Sequence, residues 1–287
     1  MSLAIVVDSV ADMNFDECER YGFVAVPLTV EVGGERFKDQ YEITSDEFYD
    51  RMIAAEDLPK SSQPAPTEFI EAYNKLADEG YDKVLALHLA AVLSGTLESS
   101  NLGASQVEIP VAVVDTLNAS AGQGLLAILA SELREAGVPD DQIIRRVEDA
   151  RSQTRFFIAC GTLENLLKNG RLSASEVEGA TMLNIKPMMS FDEQGVLRAI
   201  DKAKGMNGVI KKYVEKIQQL TEEEGIQRIR FCHTRNEKGV AKLKKSLEEA
   251  GVEYLDYGTC QCGPTVATHL GMEALGFGSM PDSLAHV

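Results

Sequence analysis

Short apolar runs recur along the first half of the chain, separated by longer amphipathic stretches. Residues 4–7, 83–89 and 111–114 read as strands buried on both faces, the pattern of a parallel sheet. Asp8-Ser9 closes the first run and leads into a helix over residues 14–21. Residues 24–27 and 29–32 are extended, and Gly33-Gly34 fits a two-residue hairpin turn into residues 35–37. Thr44 with Glu47 makes a capping box for a helix through Ala54. The helix after Ala119 carries Leu125, Leu126, Leu129 and Leu133, a one-sided spacing. This alternation predicts βαβ units: a parallel sheet with right-handed crossovers and helices on its faces.

Near Arg151 the grammar changes. Residues 156–159 form a strand, and residues 163–167 a short helix that stops at Asn169-Gly170. Ser173 with Glu176 makes a further capping box. Two extended segments then follow in succession, residues 184–190 and 196–202, with a Gln194-Gly195 turn between them. A helix over 206–221, a strand over 228–232, a helix capped by Thr234 with Glu237 and a strand over 252–257 complete the series. Consecutive strands beside helices predict a mixed sheet. The expected fold is therefore α/β with two domains: residues 1–155, a three-layer parallel sheet flanked by helices, and residues 156–287, a mixed α/β sheet.

A length of 287 residues suits one large or two modest domains. With 44% hydrophobic and 25% charged residues, the composition is that of an ordinary folded protein. A net charge of −17 leaves no basic stripe to neutralise phosphates, which excludes nucleic acid as a partner. It also argues against tight binding to anionic membrane surfaces. No apolar run is long enough to span a membrane. The chain enters a strand pattern almost at once, so a signal peptide is not expected and a cytoplasmic location is. Five cysteines, an odd number in a long chain, do not make a disulfide framework.

Two hydroxyl-rich segments change the picture. Ser61-Ser62-Gln63-Pro64 precedes a helical run starting near Thr67, and Leu93-Ser94-Gly95-Thr96 precedes one reaching about Gln106. A helix start leaves N–H groups unpaired and carries partial positive charge. Small hydroxyl residues and a glycine there let an anion approach the backbone. Either segment alone reads as an ordinary cap; converging in space, they would make an uncharged pocket for a phosphate or a carboxylate.

Other candidates are weaker. Asp8 reads as a loop anchor accepting N–H bonds. Ser94 lacks the G-x-S-x-G elbow of a serine nucleophile. His88 lies in an apolar strand, the usual setting of a satisfied core histidine, and no spacing selects His233 or His269 as a base. Cys260-Gln261-Cys262 departs from the spacing of zinc sites and reads as buried thiols. No phosphate-binding glycine loop occurs. Lys186 and Arg171 stand near expected loops, where either can face solvent, an anion or a partner protein.

These pieces together resemble the DegV family, bacterial fatty-acid-binding proteins that include the carrier subunits of fatty-acid kinase. The likeness runs through Asp8-Ser9-Val10-Ala11-Asp12, Val26-Pro27-Leu28, Ser61-Ser62-Gln63-Pro64 and Leu93-Ser94-Gly95-Thr96. It continues through Val114-Asp115-Thr116, Ser120-Ala121-Gly122-Gln123-Gly124, Gly170-Arg171-Leu172-Ser173 and Ile185-Lys186-Pro187. Each motif is modest; their order and spacing together are specific.

The resemblance implies a lipid held between the two domains, with its carboxylate at Ser61 and Ser94 and with Ser62, Gly95 and Thr96 beside it. It implies a carrier that is not an enzyme, needs no cofactor, and presents a long-chain fatty acid to a kinase subunit for acyl-phosphate formation. Two positions depart from the family's pattern. Gln261 stands where the family usually has a histidine, and Lys204 where it has an arginine; both belong by resemblance to the polar network near the carboxylate. The alternatives are an enzyme using the same pocket on a small phosphorylated metabolite, and a regulatory module that senses lipid without passing it on.

Overall fold

The computed structural model describes residues 2–172 and 184–286. Four parallel strands lie in the order Phe23–Val26, Leu3–Asp8, Lys83–His88, Val111–Asp115. Because side chains alternate across a strand, the buried runs feed two cores. Ile5, Val7, Leu85 and Leu87 pack with leucines of the Ser120–Glu135 helix and with Ile143 and Val147 of the Asp140–Ala150 helix. Ala4, Val6, Val84 and Ala86 face the other way, onto Phe69, Tyr73 and Leu76 of the Pro66–Asp78 helix. This is the three-layer arrangement the apolar runs predict.

The second sheet has six strands in the order Leu197–Lys204, Ile185–Phe191, Arg155–Ala159, Leu275–Pro281, Gln227–His233, Tyr254–Gln261. Its pairs are antiparallel except the last, so the sheet is mixed, as predicted. All six strands come from beyond Thr154. Helices Gly205–Glu224 and Glu237–Glu249 cover one face through Tyr213, Ile217, Leu243 and Leu247.

The Ser120–Glu135 helix lies between the two sheets, which corrects its one-sided reading. Every residue from Ser120 to Ser131 is buried. Its second face lies on Leu275–Pro281, where a Cβ on Gly278 would fall 2.7 Å from the backbone of Ala121. Only glycine admits so close an approach.

A small antiparallel sheet, Glu35–Lys38, Thr29–Val32, Lys60–Ser62, completes the fold. Its hairpin turns on Gly33 and Gly34, both at positive φ, as predicted. The Pro264–Leu270 helix crosses back to pack on it, Ala267 meeting Val30, Val32 and Tyr49. Buried Arg230 ties the same region together: its guanidinium donates to Glu17 at 2.6 and 2.9 Å and to the Asp12 carbonyl at 3.1 Å.

Three local expectations need correction or placement. Asn236, not Thr234, caps the Glu237–Glu249 helix by accepting from Gly239 N–H at 3.1 Å, while Thr234 Oγ1 accepts from Ala274 N–H. The Tyr254–Gln261 strand runs further than the apolar pattern suggests, carrying Cys260 into the sheet. The capping box of Ser173 with Glu176 lies outside the described residues. Among the described residues no helix is long and apolar enough to cross a membrane.

Candidate ligand-binding site

A cavity of about 650 Å³ opens between the small sheet, the 89–95 loop, the Pro264–Leu270 helix and the inner face of the six-stranded sheet. Ser61, Ser62, Ser94 and Gly95 all line it. The two hydroxyl-rich segments therefore converge. Gln63 makes the join: its side chain lies across Gly95, where a Cβ would fall 2.3 Å from Oε1, and its Nε2 donates to Ser99 Oγ at 3.2 Å.

The local reason for the convergence differs from the helix-start argument. Ser61 is in the Lys60–Ser62 edge strand, opposite Val30, and the following helix begins only at Pro66. Ser61 is thus a strand residue whose hydroxyl reaches the cavity, not a helix cap. Ser94 keeps the expected place, just before the Thr96–Ala104 helix with Gly95 at the N-cap. Thr96 corrects another expectation. It is fully buried and absent from the cavity wall, and its Oγ1 lies 2.9 Å from Ser94 Oγ while its N–H donates to the same oxygen at 3.3 Å. Thr96 holds Ser94 rather than the cavity's contents.

Sequence reasoning passed over the histidine that completes this end. Ser61 Oγ is 2.9 Å from His269 Nε2, and His269 Nδ1 is buried without a partner. Burial, with Arg171 adding to it, pushes the His269 pKa down to about 3, so the ring is neutral near pH 7. Arg171 lines the cavity too, donating to the carbonyls of Asn169 and Leu93. Among the described residues no carboxylate pairs with it, and burial lowers its pKa. Among the described residues no carboxylate lines the cavity. Around Ser61 and Ser94 the wall therefore offers two hydroxyls, a neutral imidazole and a guanidinium that no described carboxylate pairs.

The rest of the wall is mainly apolar: Val10, Leu28, Leu89, Phe156, Ile158, Leu166, Phe191, Leu197, Val266 and Leu270. Phe156 and Phe191 stack with ring centroids 5.7 Å apart. Gln261 and Lys204 stand elsewhere. Gln261 Nε2 donates to Asp46 Oδ1 at 2.9 Å, and exposed Lys204 closes its strand. The polar network at the cavity is built from His269 and Arg171 instead, so the two departures do not touch it.

The other sequence candidates sort as structural. Asp8 accepts the N–H groups of Val10 and Leu89 at 3.0 Å each. Asp8 Oδ2 and Ser100 Oγ take the two ring nitrogens of His88 at 3.0 and 2.8 Å, sealed in the core. Cys160, Cys232, Cys260 and Cys262 are buried free thiols, with burial raising the Cys160 thiol to about 12. Lys186 donates to the Gly161 carbonyl.

Comparison with known proteins accords with this geometry. The profile of the DegV family, described as an uncharacterised protein family, matches residues 2–282. The chain belongs to the DegV family. A relative from Thermotoga maritima named fatty acid-binding protein is 34% identical, over 97% of both chains. A solved structure described as fatty acid binding of a DegV family protein from Thermus thermophilus superposes with a TM-score of 0.91 at 30% identity, covering 98% of this chain and 100% of that one. A fatty acid binding DegV family protein from Streptococcus agalactiae gives 0.88 at 28% identity, over 98% and 99%.

Proposed function

We propose that this DegV protein binds one long-chain fatty acid as a non-catalytic carrier, with the hydrocarbon tail in the apolar cavity and the carboxylate at Ser61 and Ser94. The observation that carries this reading is the convergence of two hydroxyls, His269 and Arg171, which no described carboxylate pairs, on one cavity whose wall is mainly apolar. Burying a methylene is worth about 0.8 kcal/mol, so a tail of roughly 15 methylenes gains on the order of 12 kcal/mol before ordering costs. The tail then dominates affinity and the hydroxyls set orientation. Ser94 Oγ already accepts from Thr96, which leaves its own proton for the ligand. Ser62 and Gly95 complete the wall beside it. The guanidinium of Arg171, which no described carboxylate pairs, favours an anionic head.

The names of the DegV relatives support a fatty acid over a small polar phosphate. By the same family likeness the carrier presents its carboxylate to a kinase subunit, acts in the cytoplasm, and divides into domains near residue 155. Delipidated protein is titrated with palmitate, palmitate methyl ester and a sugar phosphate. The expected result is one-to-one binding of palmitate and at least about tenfold weaker binding of the ester, the loss of a charge-assisted hydrogen bond. Preference for the sugar phosphate overturns the reading. Incubating the loaded protein with a cognate kinase and ATP separates a carrier, which yields acyl phosphate, from a lipid sensor, which yields none.

A further inference from the structure

Residue 95 is a glycine for reasons of space, not of backbone freedom. Its φ of −74° and ψ of 11° lie in negative-φ territory that residues with side chains adopt. At a helix N-cap, serine, asparagine or aspartate would also satisfy an orphan N–H, which glycine does not. What glycine supplies is room. A Cβ there would fall 2.3 Å from Gln63 Oε1, 2.6 Å from Nε2 and 2.7 Å from Cδ. The amide that fills this room belongs to an exposed residue, yet it is held in place. Gln63 Nε2 donates to Ser99 Oγ at 3.2 Å, and Ser99 is buried on the Thr96–Ala104 helix. An amide nitrogen carries two protons, and Ser99 takes one. Gln63 lines the cavity together with Ser61, two residues before it, and Ser94, the neighbour of Gly95. The second amide proton is therefore available beside both hydroxyls.

We propose that Gln63 is a third ligand of the fatty-acid carboxylate, to which it donates the Nε2 proton not given to Ser99. Ser99 and Gly95 are positioning residues: the first fixes the orientation of the amide, the second leaves it its place. A donor of this kind discriminates between head groups, because a hydrogen bond to a charged acceptor is stronger than one to a neutral acceptor. The competing role for the same contacts is a clasp that ties the Lys60–Ser62 strand to the 93–95 loop without touching the ligand. A clasp shapes the cavity for every occupant alike, whereas a ligand acts on the acid alone. This inference rests on the fatty-acid reading above.

The experiment titrates the delipidated full-length protein with palmitate and with palmitate methyl ester. Gln63→Ala is expected to weaken palmitate about tenfold and the ester by less than about twofold. Gly95→Ala places a methyl group where the amide sits and pushes that flexible end aside, so it is expected to weaken palmitate by about the same factor. The two losses share one cause, so the double variant is expected to be no more than about twofold weaker than Gln63→Ala alone. Gln63→Glu keeps the length of the side chain and sets a like charge against the head; it is expected to weaken palmitate further than Gln63→Ala, and it decides the matter should Gly95→Ala not fold. Equal weakening of acid and ester by Gln63→Ala makes Gln63 a clasp and overturns the proposal, as does an unchanged affinity for palmitate. Additive losses in the double variant, about a hundredfold together, overturn it too, because Gly95 then acts by another route. Failure of the wild type to bind palmitate at all overturns the fatty-acid reading instead, so the two failures are distinct.

Discussion

Among the described residues two serine–histidine pairs occur, and they differ in what surrounds them. In the core, His88 has both ring nitrogens occupied, one by Asp8 and one by Ser100, whose hydroxyl lies 2.6 Å from Tyr73. At the cavity, His269 has one nitrogen on Ser61 and the other on nothing. The core pair is closed to any ligand and joins the Leu3–Asp8 and Lys83–His88 strands to the Thr96–Ala104 helix. The cavity pair keeps hydrogen-bonding capacity in reserve beside a guanidinium that no described carboxylate pairs. Residue type does not separate a structural histidine from a binding one. Unspent hydrogen-bonding capacity beside a cavity does.

The contrast breaks most sharply at Asp8. Asp8→Ala removes the acceptor of two backbone N–H groups and of His88, and is expected to cost about 3–5 kcal/mol of unfolding free energy. The folded fraction should retain its affinity for palmitate. Urea unfolding and titration of the same sample check both halves, and a lost affinity with intact stability contradicts the division of roles.

Ser94→Ala is the mirror experiment. Losing a hydrogen bond to a charged head is expected to weaken palmitate binding by about 1.5–3 kcal/mol, with little change in the melting temperature of the empty protein. Unchanged lipid occupancy removes Ser94 from the site.

The buried carboxyls give a pH signature. Burial pushes Asp12 up to about 7 and Asp39 up to about 6, against an ordinary value of 3.8. Such groups keep their protons in the folded protein after the unfolded chain has lost them, so stability is lost as pH rises through this range. His269 runs the other way, its contribution lost as pH falls from 6.5 toward about 3. Unfolding free energy should therefore drop between about pH 4 and about pH 7, with His269 offsetting part of the drop below 6.5, and Asp12→Asn should make that drop smaller. An undiminished drop assigns it to other groups.

The smallest effect belongs to Thr96→Val, which removes the hydroxyl that lies 2.9 Å from Ser94 Oγ. Palmitate binding should weaken by about 0.5–1.5 kcal/mol, while the methyl ester barely changes. Equal weakening of acid and ester makes Thr96 a packing residue only.

Much of the fold was legible because apolar runs and capping residues act locally. The strand runs at 4–7 and 83–89 and the Gly33-Gly34 hairpin follow from neighbours a few residues away. The Leu275–Pro281 strand was not legible. Gly276 and Gly278 dilute its apolar pattern, and they are there because neighbouring backbone presses on that strand. Ser61 and Ser94, singled out as hydroxyl-rich helix starts, both line the cavity, yet Ser61 lies in an edge strand, since a small hydroxyl suits a cap and an edge strand equally. His269 was missed because its partner lies 208 positions away in the chain. The short helix that carries it announces itself only through Gly263-Pro264, a proline at a helix start.

The central claim is tested most directly by extracting the protein as isolated from cells and identifying what comes off by mass spectrometry. A single long-chain fatty acid in stoichiometric amount, depleted in Ser94→Ala, is the predicted result. A polar phosphate, or a cavity that returns no lipid from cells rich in fatty acid, contradicts it.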